Sequence, residues 1–151
     1  MNDRRKRIWT ILPALLFALC LAVPVCASQG ALIIFPQELT QLLAQPPEDT
    51  IFLDLRSEKE YNQMHIPGFE LLEYDEQAIL ALAAEKQPVV FICSKGVRSA
   101  MAYNLLLAAG KEDVHACIFG VADYAQAVGE AQMEGDNICL PCLLKLEEEA
   151  K

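Results

Sequence analysis

Six consecutive residues, Cys93-Ser94-Lys95-Gly96-Val97-Arg98, concentrate the chemistry of this 151-residue chain. They follow an unbroken apolar run, Val89-Val90-Phe91-Ile92. They precede a helical pattern that begins at Ser99 and carries Ala100, Met101, Ala102, Leu105, Leu106 and Leu107. A thiol between the end of a buried strand and the first turn of a helix lies among backbone N–H groups that have no intrahelical acceptor. Those groups and the positive end of the helix dipole stabilise an anion, which favours the thiolate, the nucleophilic form of cysteine. Gly96 lets the backbone curl around the sulfur, and Arg98 adds a fixed positive charge. The pattern is that of an activated nucleophile, with Lys95 and Arg98 able to draw in a small anion.

Such a loop needs elements to position it. Residues 31–35 read as a short strand stopped by Pro36, and Leu39, Leu42 and Leu43 fall at helical spacing up to Pro46-Pro47. Residues 50–54 form a second apolar strand ending in Asp54. Glu58, Glu60 and Tyr61 suggest a short helix closed by the turn His65-Ile66-Pro67-Gly68. Leu71-Leu72 is a minor strand, residues 76–84 an Ala/Leu-rich helix, and the helix after Cys93 runs to about Ala109, where Gly110 stops it. Residues 114–119 give the last strand, and Gly120 begins a turn into a helix containing Tyr124. Strands that are apolar throughout and alternate with helices predict an α/β fold with a mostly parallel sheet covered on both faces. Ligands in such sheets bind beyond the carboxyl ends of the strands, where Cys93, Asp54 and Gly120 all fall. From about Gly129 the chain turns polar, and Ile138-Cys139-Leu140-Pro141-Cys142-Leu143-Leu144 leads into an acidic tail. Residues 131–151 therefore read as a C-terminal extension to a domain over 28–130.

Residues 1–27 have the layout of a secretory signal: basic Arg4-Arg5-Lys6-Arg7, an apolar stretch over 8–25, and Val25-Cys26-Ala27 as a cleavage site. The competing reading is an uncleaved membrane anchor, since the apolar stretch approaches the roughly 18–20 residues that span a bilayer. Pro24 and the small residues after it favour cleavage and export to a periplasmic or extracellular space. Removing residues 1–27 takes away Arg4, Arg5, Lys6, Arg7 and Asp3, which leaves 8 basic against 20 acidic residues, a net of about −12, compared with −9 for the whole chain. A nucleic acid or an anionic membrane surface is a poor partner for such a domain. Cys93, Cys117, Cys139 and Cys142 remain, too few for a disulfide-dense scaffold, so the core must come from apolar packing.

Three motifs stand in order: Leu53-Asp54-Leu55-Arg56 with Glu60-Tyr61, the turn His65-Ile66-Pro67-Gly68, and Cys93-x-x-Gly96-x-Arg98-Ser99 after a strand. In these the chain resembles a single-domain rhodanese, of the thiosulfate sulfurtransferase family, over roughly residues 50–127. The resemblance implies a five-stranded, mostly parallel sheet flanked by helices. It also implies a reaction without metal or organic cofactor. Cys93 takes a sulfane sulfur from a small sulfur-containing anion, carries it as a persulfide, and passes it to a thiol or other thiophilic acceptor. The N–H groups of Ser94, Lys95, Gly96, Val97, Arg98 and Ser99 would stabilise the persulfide anion, and Ser94, Lys95 and Val97 would govern the choice of donor. Phosphatases that share the fold place five residues between cysteine and arginine. Here there are four, a tighter cradle that favours a sulfur atom over a phosphate. The family's usual Gly-Gly and Trp after the last strand are replaced by Phe119-Gly120-Val121 and Tyr124. A non-catalytic module of the same family remains the alternative.

Other residues admit plainer roles. Arg56 is expected to pair with Asp54 or Glu60 and brace the loop, and Arg98 either to brace backbone carbonyls or to steer substrate. His65 belongs to a turn, and Cys117 to a core strand, with a resolving partnership to Cys93 as its rarer reading. Cys139 and Cys142 read as a local disulfide, or as a working dithiol that accepts sulfur from Cys93 or cycles by itself. A zinc site needs four ligands, and no second pair stands at a suitable spacing. The run Glu147-Glu148-Glu149 reads as solvated helix surface. Nothing in the sequence fixes an oligomeric state.

Overall fold

The computed structural model describes residues 33–149. The expected signal segment, with Cys20 and Cys26, lies outside the described residues, as do Ala31 and Leu32 of the first expected strand. In chain order the elements are β1 (Ile33–Ile34), α1 (Pro36–Ala44), β2 (Ile51–Asp54), α2 (Glu58–Gln63), β3 (Glu70–Leu71) and α3 (Glu76–Ala81). They continue with β4 (Val89–Cys93), α4 (Val97–Ala108), β5 (Val114–Gly120), α5 (Val121–Val128) and α6 (Leu140–Glu149). Single 3-10 turns follow α3 and α5. The helix after Cys93 starts two residues before the expected Ser99, because Gly96 adopts a left-handed φ of 77° and turns the chain into α4 early. No helix among the described residues is long and apolar enough to cross a membrane.

The sheet is parallel throughout, with five strands in the order β1-β5-β4-β2-β3. This is the fold class that the uniformly apolar strands predict. The central strand β4 is buried along its whole length, and its residues alternate between two half-cores. Val90 and Ile92 join Leu39, Phe119, Val121 and Tyr124 on one side. Val89, Phe91 and Cys93 join Ile79, Ala102 and Leu106 on the other. Each fully buried side chain of the size of Phe91 or Leu106 contributes about 1.5–3 kcal/mol.

Chain direction across the sheet reverses between β2 and β4: β2 leads outward to β3, β4 the other way to β5. In parallel sheets such a reversal opens a crevice at the carboxyl ends of the two strands. Asp54 and Cys93 are the last residues of those strands. Beyond α5, Met133 and Leu143 are buried in the same half-core as Phe119. His65 and Glu134 exchange backbone hydrogen bonds of 2.7 and 3.0 Å, so the C-terminal segment folds back along the domain.

Candidate active site

The loop after β4 rests on backbone rather than on side chains. Opposite β4, strand β5 carries an irregularity: Phe91 pairs with Ala116, but Cys93 pairs with Gly120. The extra residues lift the backbone of Ile118 and Gly120 against the loop, as bulges beside functional sites do. A Cβ on Gly96 would stand 2.4 Å from the carbonyl carbon of Ile118, and one on Gly120 would stand 1.7 Å from Ser94 O. Only hydrogen fits at either place. The two glycines therefore let the loop and the end of β5 touch backbone to backbone.

That contact fixes the path of residues 93–99. Cys93 is 1% exposed, at the base of the loop. Among the described residues, the N–H groups of Ser94, Lys95 and Gly96 have no backbone acceptor, and those of Val97, Arg98 and Ser99 open α4, where none is available within the helix. Six N–H groups without a loop or helix backbone acceptor thus follow one another along the bend after Cys93, the kind of backbone that can hold an anion. Ser99 is fully buried, and its hydroxyl has no hydrogen-bond partner in this structure. Lys95 is exposed and Val97 is 64% exposed, so these two face arriving molecules.

Arg56 pairs with Asp54 as expected, but bracing the loop falls to Arg98, one of its two expected roles. Arg56 is completely buried and grips Asp54 through Nε (3.0 Å to each oxygen) and Nη2 (2.7 Å). Its Nη2 also donates to Met64 O at 2.8 Å. It ties the end of β2 to the end of α2 and does not itself reach the loop. Glu60, the alternative partner, is taken elsewhere: its Oε2 accepts from Ser57 N and Ser57 Oγ in a capping box. Bracing of the loop falls to Arg98, whose Nη1 donates to Leu55 O at 3.0 Å and Nη2 to Ser94 Oγ at 2.8 Å. Its guanidinium lies 4.0 Å from Glu60 Oε1 and stays about one-third exposed (32%), so it still projects positive charge.

The remaining candidates sort cleanly. His65 donates from Nδ1 to Tyr61 O (3.0 Å) and stacks on the Tyr61 ring at 4.0 Å, a turn residue held by its neighbours. Cys117 is a free thiol in the half-core opposite that of Cys93. Burial, with a further push from Cys93, drives its ionisation well above the ordinary thiol range, so it stays a neutral core residue. Tyr124 is buried beside Phe119 and its hydroxyl pairs with Thr40 Oγ1 at 3.1 Å, which makes the missing tryptophan a packing change. Cys139 and Cys142 are joined in a disulfide at the start of α6. Among the described residues no His, Cys, Asp and Glu cluster is arranged to hold a metal ion. Glu147 corrects the expectation of a solvated acidic face: it is 6% exposed, because Leu143 one turn earlier is buried and the two share a helix face.

The rhodanese-like domain family matches residues 35–127. The chain is 32% identical over 84 residues to the thiosulfate sulfurtransferase GlpE of Pseudoalteromonas translucida, covering 55% of this chain and 80% of that protein. Among solved structures, a rhodanese-like domain from Anabaena sp. superposes with a TM-score of 0.58 at 22% identity, covering 71% of this chain and 81% of that one. A thiosulfate sulfurtransferase from Pseudomonas aeruginosa gives 0.58 at 27% identity over 68% of this chain and 20% of its own. With the matched residues spanning more than half of the sequence and holding four of the five strands and the Cys93 loop, the chain belongs to the rhodanese-like domain family.

Proposed function

We propose that the protein is a sulfurtransferase that carries sulfane sulfur on Cys93. The observation that carries this reading is the placement of Cys93 at the end of β4, before a bend whose backbone N–H groups have no loop or helix acceptor and which Arg98 braces. With thiosulfate as donor, the Cys93 thiolate attacks the outer sulfur. A new S–S bond forms on Cys93, the S–S bond of thiosulfate breaks, and sulfite leaves with the electron pair. The persulfide anion then sits where the thiolate was, held by the same N–H dipoles. An acceptor thiolate attacks the outer sulfur, takes it away as its own persulfide, and returns Cys93 as thiolate. Charge balances in both steps, and neither needs a metal or an organic cofactor. The likeness to sulfurtransferases supports the donor class, a small sulfur-containing anion, and Lys95 and Arg98 supply the only positive charge of the loop in an otherwise acidic chain. The basic and apolar residues over 1–27 support a setting outside the cytoplasm, one in which a disulfide such as Cys139–Cys142 persists.

The test is sulfur loading. Purified protein and Cys93→Ser are incubated with thiosulfate or polysulfide, and intact mass with peptide mapping locates any added sulfur. Wild type should gain one sulfur atom on Cys93 and the variant none, and cyanide or a thiol should remove it. Equal gain in both proteins, or none in either, rejects the reading and leaves a non-catalytic module of the family.

A further inference from the structure

Helix α6 lies beyond the residues that the family match covers, yet it reaches the ion network behind the Cys93 loop. It packs across α2 and α5, anchored by Leu143, which is fully buried. One turn further on, the Glu147 carboxyl enters the protein and meets charge from every element around it: Arg56 after β2, Glu60 of α2, Lys95 of the loop and Asp123 of α5. Three buried polar atoms there lack a hydrogen-bond partner in this structure, namely Glu147 Oε1, Glu60 Oε1 and Arg56 Nη1. Glu60 Oε1 is also the atom 4.0 Å from Arg98, and Arg98 holds Ser94 and Leu55. Glu147 therefore lies within electrostatic reach of Glu60, and Glu60 in turn stands beside Arg98, which holds the loop.

Two buried carboxyls in one network cannot both ionise cheaply. A proton on one of them removes the repulsion and supplies a donor where the acceptors have none. Glu60 Oε2 already accepts from Ser57 N and Ser57 Oγ, whereas Glu147 Oε1 is buried without a partner, so the proton belongs on Glu147. Burial is the main cause that pushes Glu147 up to about 7, with Glu60 and Asp123 adding to it and Arg56 and Lys95 opposing.

We propose that Glu147 is a positioning residue for the Cys93 loop: as a neutral acid it seats α6 against Glu60 and keeps Glu60 set against Arg98, and on ionising it loosens both. The sign follows from the direction of the shift. The folded protein holds this proton more tightly than the unfolded chain does, so the stability it lends is whole below the ordinary carboxyl value of 4.5 and is lost as pH rises through about 7. The consequence for catalysis rests on the sulfurtransferase reading, whereas the consequence for α6 does not.

The test therefore has two readouts on wild type, Glu147→Gln and Glu147→Ala, from about pH 5 to about pH 9. Amide hydrogen exchange of α6, corrected for its intrinsic pH dependence, reports docking. The rate of Cys93 sulfur loading from thiosulfate reports the loop. Wild type should lose α6 protection with a midpoint near 7, and its loading rate should fall about tenfold relative to the Cys93 ionisation curve over the same interval. Glutamine, a permanently neutral donor, should abolish both transitions, while alanine should exchange fast and load slowly at every pH. If the glutamine variant keeps the wild-type exchange transition, or behaves like alanine, the proposal is overturned. If the exchange transition vanishes but the loading profile does not change, Glu147 merely stabilises α6 and the positioning role is refuted. If wild type takes up no sulfur at all, the sulfurtransferase reading fails and the exchange readout still decides whether Glu147 governs α6.

Discussion

Gly120→Ala separates contact from backbone strain at this site. Gly120 has φ −96° and ψ 167°, ordinary extended values that alanine adopts freely, so the substitution carries no conformational penalty of its own. Its Cβ would nonetheless lie 1.7 Å from Ser94 O and 2.6 Å from Ser94 C. Non-bonded carbon and oxygen settle no closer than about 3.3 Å, so the loop must retreat by roughly 1.5 Å from the end of β5. Ser94 is where Arg98 grips the loop, and the retreat displaces the backbone N–H groups that follow Cys93. Overpacking of this kind costs about 1–3 kcal/mol of stability, and a displacement of about 1 Å in a reacting group costs on the order of 100-fold in rate. The control is Gly110→Ala. Gly110 has φ 88°, but a Cβ there would meet nothing within 4 Å, so alanine should cost about 1–2 kcal/mol and leave the loading rate alone. Initial rates of Cys93 sulfur loading and urea unfolding measure both quantities on both variants. Wild-type loading by Gly120→Ala, or an equal rate loss in Gly110→Ala, would refute the claim that backbone contact at β5 shapes the site.

Arg98→Lys replaces a fork that spans Leu55 O and Ser94 Oγ with a single ammonium that cannot span both. Loading should slow at least about tenfold while urea stability changes by less than about 1 kcal/mol, and an unchanged rate would show that charge alone suffices. Asp54→Ala strands the fully buried Arg56 and should cost about 3–5 kcal/mol in the same unfolding assay. A loss below about 1 kcal/mol would mean that Arg56 finds another partner or water. Ser99→Ala removes a buried hydroxyl that has no partner in the structure, so stability should hold or rise slightly. If that hydroxyl donates to the bound sulfur, loading should fall several-fold and the persulfide should decay faster; equal kinetics would assign Ser99 to packing.

The parts of this fold that the sequence announces are those where one physical requirement dominates. Strand β4 must be buried on both faces, and Val89-Val90-Phe91-Ile92 says so without ambiguity. Gly96 at a left-handed bend and the Cys-to-Arg spacing are equally local. What sequence reading missed is long-range or carried by backbone. Leu55 contributes a carbonyl oxygen, which no side chain advertises. Ile118 matters through its backbone, lifted by a β5 irregularity that shows only in the register with β4. Arg56 was within reach of two acids by sequence, and Ser57 had already claimed Glu60. Glu147 had a signal that composition hides: three consecutive glutamates suggest water, but counting back by helical turns to Leu143 and Leu140 puts the first of them on the apolar face.

On the proposed sulfurtransferase reading, the geometry also favours a sulfur atom in this loop. Four residues lie between Cys93 and Arg98, and one more would add about 3.3 Å of chain, enough to widen the ring toward a tetrahedral oxyanion. Widening from within is resisted here, because Gly96 is pressed on Ile118 and Gly120 on Ser94. Both walls are main chain, which cannot swing aside as a side chain does. The ring is thus held small from outside, and Arg98 closes it from beneath by holding Ser94 to Leu55. Discrimination among donors then passes to the two residues that project outward, Lys95 and Val97. A cation beside an exposed apolar side chain attracts a small anion and offers an organic persulfide a surface to lie on. Donor preference should therefore shift with substitutions at Lys95 and Val97 while the chemistry at Cys93 persists, and substitutions at the two glycines should weaken every donor alike.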